Sequence, residues 1–88
     1  MIFRGEYYFL SNMYPCNVLG YSCVESAFQA QKCPERKHLF VGIDGFQAKK
    51  LGKTVPLRAN WDKLKINVMY GLIKEKFKDP ELLNKLYD

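Results

Sequence analysis

Three side chains able to act on a ligand follow one another at helical spacing in the first half of the chain. Residues 24–32 read VESAFQAQK, and at 100° per residue Glu25, Gln29 and Lys32 form one polar stripe. The stripe borders an apolar face made of Val24, Ala27, Phe28 and Gln31. A carboxylate, an amide and an ammonium on one rigid element beside a core-facing surface are a common way to build a small-molecule site. The pattern therefore predicts a ligand site in which Glu25 is the pivotal residue.

Glu25 also has a purely structural interpretation. A serine followed three residues later by a glutamate is a capping-box pattern, in which Glu25 folds back onto the backbone amide of Ser22. A helix begun in this way is predicted to end at Cys33, before Pro34. Spacing alone favours this capping role over catalysis.

Residues 9–16, which precede the helix, read FLSNMYPC. Together the two segments resemble the NADAR family (YbiA-like N-glycosidases), whose members carry a phenylalanine-leucine-serine-asparagine segment followed by a valine-glutamate-x-alanine-phenylalanine-glutamine-alanine helix. Residues 46–53, FQAKKLGK, are similar to the family's alanine-lysine-x-x-glycine helix. Residues 55–69 resemble its arginine-x-x-tryptophan, lysine and methionine segment. The four motifs stand in the family's order and cover nearly all of residues 3–83.

The resemblance implies an N-glycosidase that hydrolyses a bond between ribose and nitrogen. The implied substrates are phosphoribosylamino-pyrimidine intermediates of riboflavin synthesis or ADP-ribose adducts. Breaking such a bond passes through an oxocarbenium-like state, which a nearby carboxylate stabilises while it orients or deprotonates water. The resemblance gives this role to Glu25 and implies no metal or redox cofactor. It also implies that the ligand and its phosphate are bound by Ser11, Asn12, Trp61, Lys32 and Arg58.

Each of these ligand-binding residues has a structural alternative. Ser11 and Asn12 lie where ordinary turn chemistry would use them, and Trp61 would serve equally well in core packing. Lys32 could favour the negative end of a helix dipole, and Arg58 could cap a loop carbonyl. The residue types alone leave these alternatives open.

One departure from the family pattern concerns the end of the chain. Family members normally continue for several dozen residues past this point, through a segment rich in acids and tryptophan-glycine that helps to build the active site. We therefore expect one domain over residues 1–88, shortened relative to the family. A second hypothesis follows, namely a shortened, non-catalytic relative that binds a nucleotide-like ligand or a protein partner. Self-association as a homodimer is one form of this hypothesis.

The positive charge of the chain is concentrated in its second half and would attract an anionic ligand. The chain has 88 residues and a net charge of +5, and nine of its 14 Lys and Arg residues lie between Lys49 and Lys78. Such a field attracts a phosphorylated sugar or a pyrophosphate more plausibly than nucleic acid, because no nucleic-acid motif accompanies it. Solvated helix faces are the structural alternative.

Cysteine usage predicts a reducing, cytoplasmic setting. Three cysteines without a CxxC pair indicate free thiols, and the sequence shows neither a leader nor an apolar run long enough to cross a bilayer. His38 and these cysteines lack the close spacing of zinc ligands, so no metal site is predicted.

The local patterns predict an α+β, mostly helical chain, which agrees with the YbiA-like fold that the resemblance implies. Residues 2–4 and 6–10 predict short strands, and residues 17–21 predict a hairpin that turns near Gly20. These strands are expected to pack on four to five helices, predicted from the Ser22 cap to Cys33 and over 35–40, 45–51, 61–78 and from 80 onward. Asp44, Asn60 and Asp79 are the predicted N-caps of the last three helices, and Gly52 is predicted to stop the third helix at its C′ position. The helix over 61–78 carries two apolar stripes, as expected of a buried spine.

Overall fold

Helices form most of the chain. The computed structural model describes residues 5–87, and within this range four α-helices and two 3₁₀ helices follow one another. In chain order they are a first 3₁₀ helix (Gly5–Leu10), α1 (Val24–Ala30), a second 3₁₀ helix (Pro34–Phe40), α2 (Gly45–Gly52), α3 (Trp61–Lys76) and α4 (Pro80–Tyr87). The predicted mostly helical class is confirmed.

The strands predicted for the N-terminal third are wrong where the structure describes them. Residues 6–10 lie in the first 3₁₀ helix, and residues 17–21 form a tight turn with one isolated antiparallel bridge between Val18 and Tyr21. Leu19 and Gly20 make this turn with positive φ angles. Aromatic residues favour a strand only where another strand pairs with it, and no segment of residues 5–87 offers such a partner. The strand predicted over residues 2–4 lies outside the described residues.

The start of α1 differs from the predicted capping box. Cys23 is the N-cap residue, and its Sγ accepts a hydrogen bond from the Ser26 amide at 3.5 Å. Ser22 instead donates its hydroxyl to the carbonyl of Ile43, in the loop before α2. The capping box was wrong because Ser22 has this partner outside the helix, which fastens the start of α1 to the start of α2.

α1 also ends earlier than the predicted Cys33. After Ala30 the chain tightens, and the amides of Gln31 and Lys32 bond to carbonyls three residues back instead of four. Such a tightened turn satisfies carbonyl groups that would otherwise be orphaned at a helix end.

α2 packs against α1 through its small residues. As predicted, Asp44 caps α2, and it forms a reciprocal capping box with Gln47. Gly45, Ala48 and Gly52 are all buried on one side of this helix. A methyl group on Gly45 would lie 3.1 Å from Cys23 Sγ and 3.3 Å from the Cβ of Glu25. The absence of a side chain at Gly45 therefore lets the two helices approach closely.

α3 is buried along one side only. Trp61 and Leu72 are buried, whereas Ile66 is 73% exposed and Tyr70 is 65% exposed. In the second predicted stripe Ile66 and Ile73 are exposed, whereas Met69 and Phe77 are half-buried, so the buried-spine prediction is wrong for Ile66 and Ile73. Asn60 stands at the N-cap position as predicted, but in a left-handed conformation without a side-chain cap hydrogen bond.

The hydrophobic core lies between α1, α2, the second 3₁₀ helix and α3. It comprises Val18, Tyr21, Val24, Ala27, Ala30, Cys33, Phe40, Ala48, Val55 and Leu72. The final helix, α4, begins at Pro80 as predicted, and Asp79 Oδ1 accepts a hydrogen bond from the Glu81 amide. None of the helices described over residues 5–87 has the length and apolar character needed to cross a membrane.

Candidate functional site

The carboxylate of Glu25 is held by a neighbour on its own helix. Gln29 Nε2 donates a hydrogen bond of 2.7 Å to Glu25 Oε1, one helical turn away. Gln29 is buried and Glu25 is half-buried. The predicted stripe therefore contains a real contact, although Gln29 lies inside the protein and not on the border of the apolar face. The capping alternative for Glu25 does not apply, because its carboxylate faces Gln29 and not Ser22.

The turn that carries Ser11 and Asn12 lies against the start of α1. The backbone amide of Glu25 donates to the Asn12 carbonyl at 2.9 Å, which places this turn next to the candidate catalytic residue. Ser11 Oγ accepts a hydrogen bond from the Met13 amide at 3.0 Å, and Asn12 Nδ2 lies 3.7 Å from Met69 Sδ on α3. The structure thus brings Ser11, Asn12 and Glu25 together, with the serine hydroxyl engaged in its own turn.

Lys76 of α3 holds this turn in place through a hydrogen bond. From the sequence alone, Lys76 was not identified as part of the site. Its side chain is only 2% exposed, and its Nζ donates to the Ser11 carbonyl at 2.8 Å. The ammonium also lies 5.6 Å from the ring centroid of Tyr14 and 5.4 Å from that of Phe77. Burial lowers the pKa of Lys76 from its ordinary value of 10.5, while the neighbouring thiols of Cys16 and Cys23 act in the opposite direction. The sequence signal for this role was only that Leu72 and Ile73, one turn earlier on α3, are apolar.

The thiol of Cys16, which interacts electrostatically with this ammonium, is half-buried. Burial raises the pKa of Cys16 above its ordinary value of 9.0, and the positive charge of Lys76 partly offsets this effect. Cys16, Cys23 and Cys33 are all free thiols. Among residues 5–87 no three histidine, cysteine or acidic side chains converge to hold a metal ion. Around the turn the structure gathers a carboxylate, amides, free thiols and a buried ammonium.

The other three predicted residues gather at the opposite end of α1. The Arg58 amide donates to the Lys32 carbonyl at 2.7 Å, and the Trp61 amide donates to the Arg58 carbonyl at 3.2 Å. The indole of Trp61 is buried against Phe28, with ring centroids 5.2 Å apart. The structure therefore brings Lys32, Arg58 and Trp61 together through the backbone. From Glu25 to Lys32 the chain advances seven residues, or about 10 Å along a helix at 1.5 Å per residue.

A shallow pocket opens at this second cluster. It has a volume of about 360 Å³ and is lined by Leu57, Arg58, Asn60, Trp61, Asp62 and Lys63. Two of the predicted ligand-binding residues, Arg58 and Trp61, therefore border one cavity beside the first turn of α3. A larger cavity of about 490 Å³ lies between the first 3₁₀ helix and α4, and none of the predicted site residues lines it.

Comparison with known proteins identifies no relative: no family model matches the chain, and neither a curated protein nor a solved structure matches it significantly. The site is therefore described by its own residues. They provide a half-buried carboxylate at one end of α1 and two cations with an indole at the other end.

Proposed function

We propose that the chain belongs to the N-glycosidase class and hydrolyses a ribose–nitrogen bond in a phosphorylated ribosyl compound. The resemblance to the NADAR family, with its YbiA-like fold, motivates this proposal. The observation that supports it best is the Glu25 carboxylate, which is half-buried and held at 2.7 Å by Gln29 beside the Ser11–Asn12 turn. A carboxylate fixed in a partly desolvated setting suits the developing positive charge of an oxocarbenium-like transition state.

In this mechanism Glu25 acts at the ribose carbon that bears the nitrogen. Gln29 occupies one carboxylate oxygen, so the other oxygen, Oε2, stabilises the ribosyl cation and orients or deprotonates the attacking water. The oxygen of water bonds to the carbon as the carbon–nitrogen bond breaks, and the departing nitrogen takes the proton that this water gives up to Glu25. Asn12 and Ser11 border the sugar, while Arg58 and Lys32 attract the phosphate at the other end of α1. No metal or redox cofactor takes part.

The length of α1 bears on the choice of substrate. The two clusters are about 10 Å apart along the helix. A ribose ring with its own phosphate has a shorter span than an ADP-ribose unit, whose pyrophosphate extends farther from the sugar. The separation therefore favours an ADP-ribose adduct over a phosphoribosylamino-pyrimidine, although the long Lys32 and Arg58 side chains can shorten the gap.

The test is hydrolysis by the purified chain of an ADP-ribosylated nucleoside and of a phosphoribosylamino-pyrimidine, with the released sugar quantified. Glu25→Gln is expected to lower kcat by about two to four orders of magnitude, the usual effect of losing a general acid or base. Glu81→Gln, which changes an exposed acid on α4, is the matched control. If the two variants have equal activity, Glu25 is not catalytic.

A second candidate is a non-catalytic protein that binds a nucleotide-like ligand or a protein partner. The exposed Ile66 and Tyr70 on α3 favour the protein partner, because large apolar side chains grouped on one face often mark an interaction site. Calorimetric titration with ADP-ribose separates the candidates. Binding without hydrolysis of either substrate would favour this second function over the first.

A further inference from the structure

We infer that Gln29 is a positioning residue for the Glu25 carboxylate, and that Gly52 supplies the space that keeps Gln29 in place. The inference rests on the proposed function, in which Glu25 acts on the ligand. Gln29 is only 5% exposed, and its Nε2 donates to Glu25 Oε1 at 2.7 Å. A buried side chain has few alternative rotamers, so this donor points in a fixed direction.

The orientation of the Gln29 amide follows from its neighbours. If the amide were turned over, its carbonyl oxygen would face the Glu25 carboxylate, and two acceptors would meet without a proton between them. The observed orientation has a disadvantage of its own, because the buried Gln29 Oε1 receives no hydrogen bond from any described residue. Leaving a buried acceptor unpaired is unfavourable, so something must hold the side chain there.

Gly52 is the residue against which this unpaired oxygen lies. A methyl group built on Gly52 would overlap Gln29 Oε1 and come within 2.8 Å of Gln29 Cδ. Gly52 is the last residue of α2, followed by Lys53 in the ordinary right-handed conformation, so this glycine is not the predicted left-handed helix stop. Glycine is required here by close packing.

Gly52 on α2 and Gln29 and Glu25 on α1 therefore form one continuous chain of contacts. The Gly52 backbone limits Gln29, and Gln29 fixes Glu25 Oε1, which leaves Glu25 Oε2 outside this hydrogen bond. Displacing a reacting group by about 1 Å can cost about 100-fold in rate. A side chain at Gly52 should therefore impair the reaction even though the atoms nearest to it belong to Gln29 and not to Glu25.

A measurement that does not need activity tests the positioning directly. The side-chain amide resonances of Gln29 are recorded by ¹⁵N–¹H NMR in the full chain. Glu25→Ala and Gly52→Ala are both expected to shift these resonances and to speed the exchange of the Gln29 amide protons with solvent. Gly71→Ala is the matched glycine control, because open space surrounds its position on α3. Unchanged Gln29 resonances in both test variants would overturn the inference.

A kinetic cycle tests the consequence, with an ADP-ribosylated nucleoside as the probe. Gln29→Met keeps the length and apolar stem of the side chain and removes the donor, and it is expected to lower kcat by about 10- to 100-fold with little change in KM. In a Glu25→Gln background the same substitution should have little further effect, because its target is already lost. An equal loss in both backgrounds would show that Gln29 acts independently of Glu25 and would overturn the inference.

The controls separate this inference from the proposed function. Gln31→Met changes a half-buried glutamine just after α1 that makes no side-chain hydrogen bond to the described residues, and it should leave kcat unchanged. If the wild-type chain hydrolyses neither probe, the proposed function fails. The NMR result still decides whether Gln29 and Gly52 position Glu25.

Discussion

Replacing single glycines by alanine should change the free energy of unfolding by different amounts at two helical positions. Gly45 and Gly71 both lie in helices, so each substitution removes the same excess of backbone freedom from the unfolded chain. On its own this effect stabilises a helix by about 0.5–1 kcal/mol. The packing around each glycine decides whether this gain survives.

The two surroundings differ sharply. A methyl group on Gly71 meets nothing within 4 Å, so Gly71→Ala should raise the free energy of unfolding by the full 0.5–1 kcal/mol or so. On Gly45 the same group would overlap Met13 Sδ and lie 3.1 Å from Cys23 Sγ. The thioether of Met13 can move, but Cys23 is the buried cap of α1 and cannot. Overpacking of this kind costs about 1–3 kcal/mol, so Gly45→Ala should have no net gain or should be destabilising.

Thermal unfolding followed by circular dichroism measures the difference. The two variants share the backbone gain, so their stabilities should differ by the overpacking cost alone. At about 4–8 °C per kcal/mol for a domain of this size, the Tm of Gly71→Ala should exceed that of Gly45→Ala by at least about 4 °C. Equal shifts in Tm would refute the reasoning, because they would mean that α1 and α2 do not approach as closely as Gly45 indicates.

Further predictions concern Lys76, Cys16 and Trp61. Burial lowers the pKa of Lys76 in the folded state, so between that lowered pKa and 10.5 the unfolded state binds more protons than the folded state. The free energy of unfolding of the wild type, relative to that of Lys76→Met, should therefore rise with pH in this window. Urea unfolding that gives the same difference at every pH would contradict this prediction. The charge of Lys76 lowers the pKa of Cys16, so Lys76→Met should slow the alkylation of Cys16 by iodoacetamide at pH 8.5, as measured by mass spectrometry. Lys78 is exposed, and Lys78→Met should leave this rate unchanged. Trp61 is 6% exposed and packs on Phe28. Trp61→Phe should therefore lower the free energy of unfolding, measured in urea, by about 1–3 kcal/mol and leave KM nearly unchanged. A variant of unchanged stability that binds the ligand more weakly would instead show that the indole contacts the ligand.

The sequence patterns predicted correctly those helix ends that depend on residues close by in the chain. Asp44 and Asp79 cap α2 and α4 as expected, because a capping side chain needs only backbone groups a few residues away. The strand predicted over residues 6–10 failed for the opposite reason, since strand formation depends on a partner that the sequence pattern does not specify. Ser22 failed as a cap because the Ile43 carbonyl, 21 residues away, uses its hydroxyl.

In the candidate site, too, contacts within one helix could be predicted from the sequence, whereas contacts between helices could not. Glu25 and Gln29 are neighbours because helical geometry places residues four apart on one face, and this contact was foreseeable from spacing. The space left by Gly52 was not foreseeable, because its packing against Gln29 depends on how α2 crosses α1. The contacts of Lys76 were even harder to predict from the sequence. Residue type places a lysine at the surface, yet this one is enclosed by the Ser11 carbonyl and two aromatic rings, 65 residues from the turn it holds. The position of the Ser11–Asn12 turn beside Glu25 therefore depends on a residue whose sequence context gives little indication of that role.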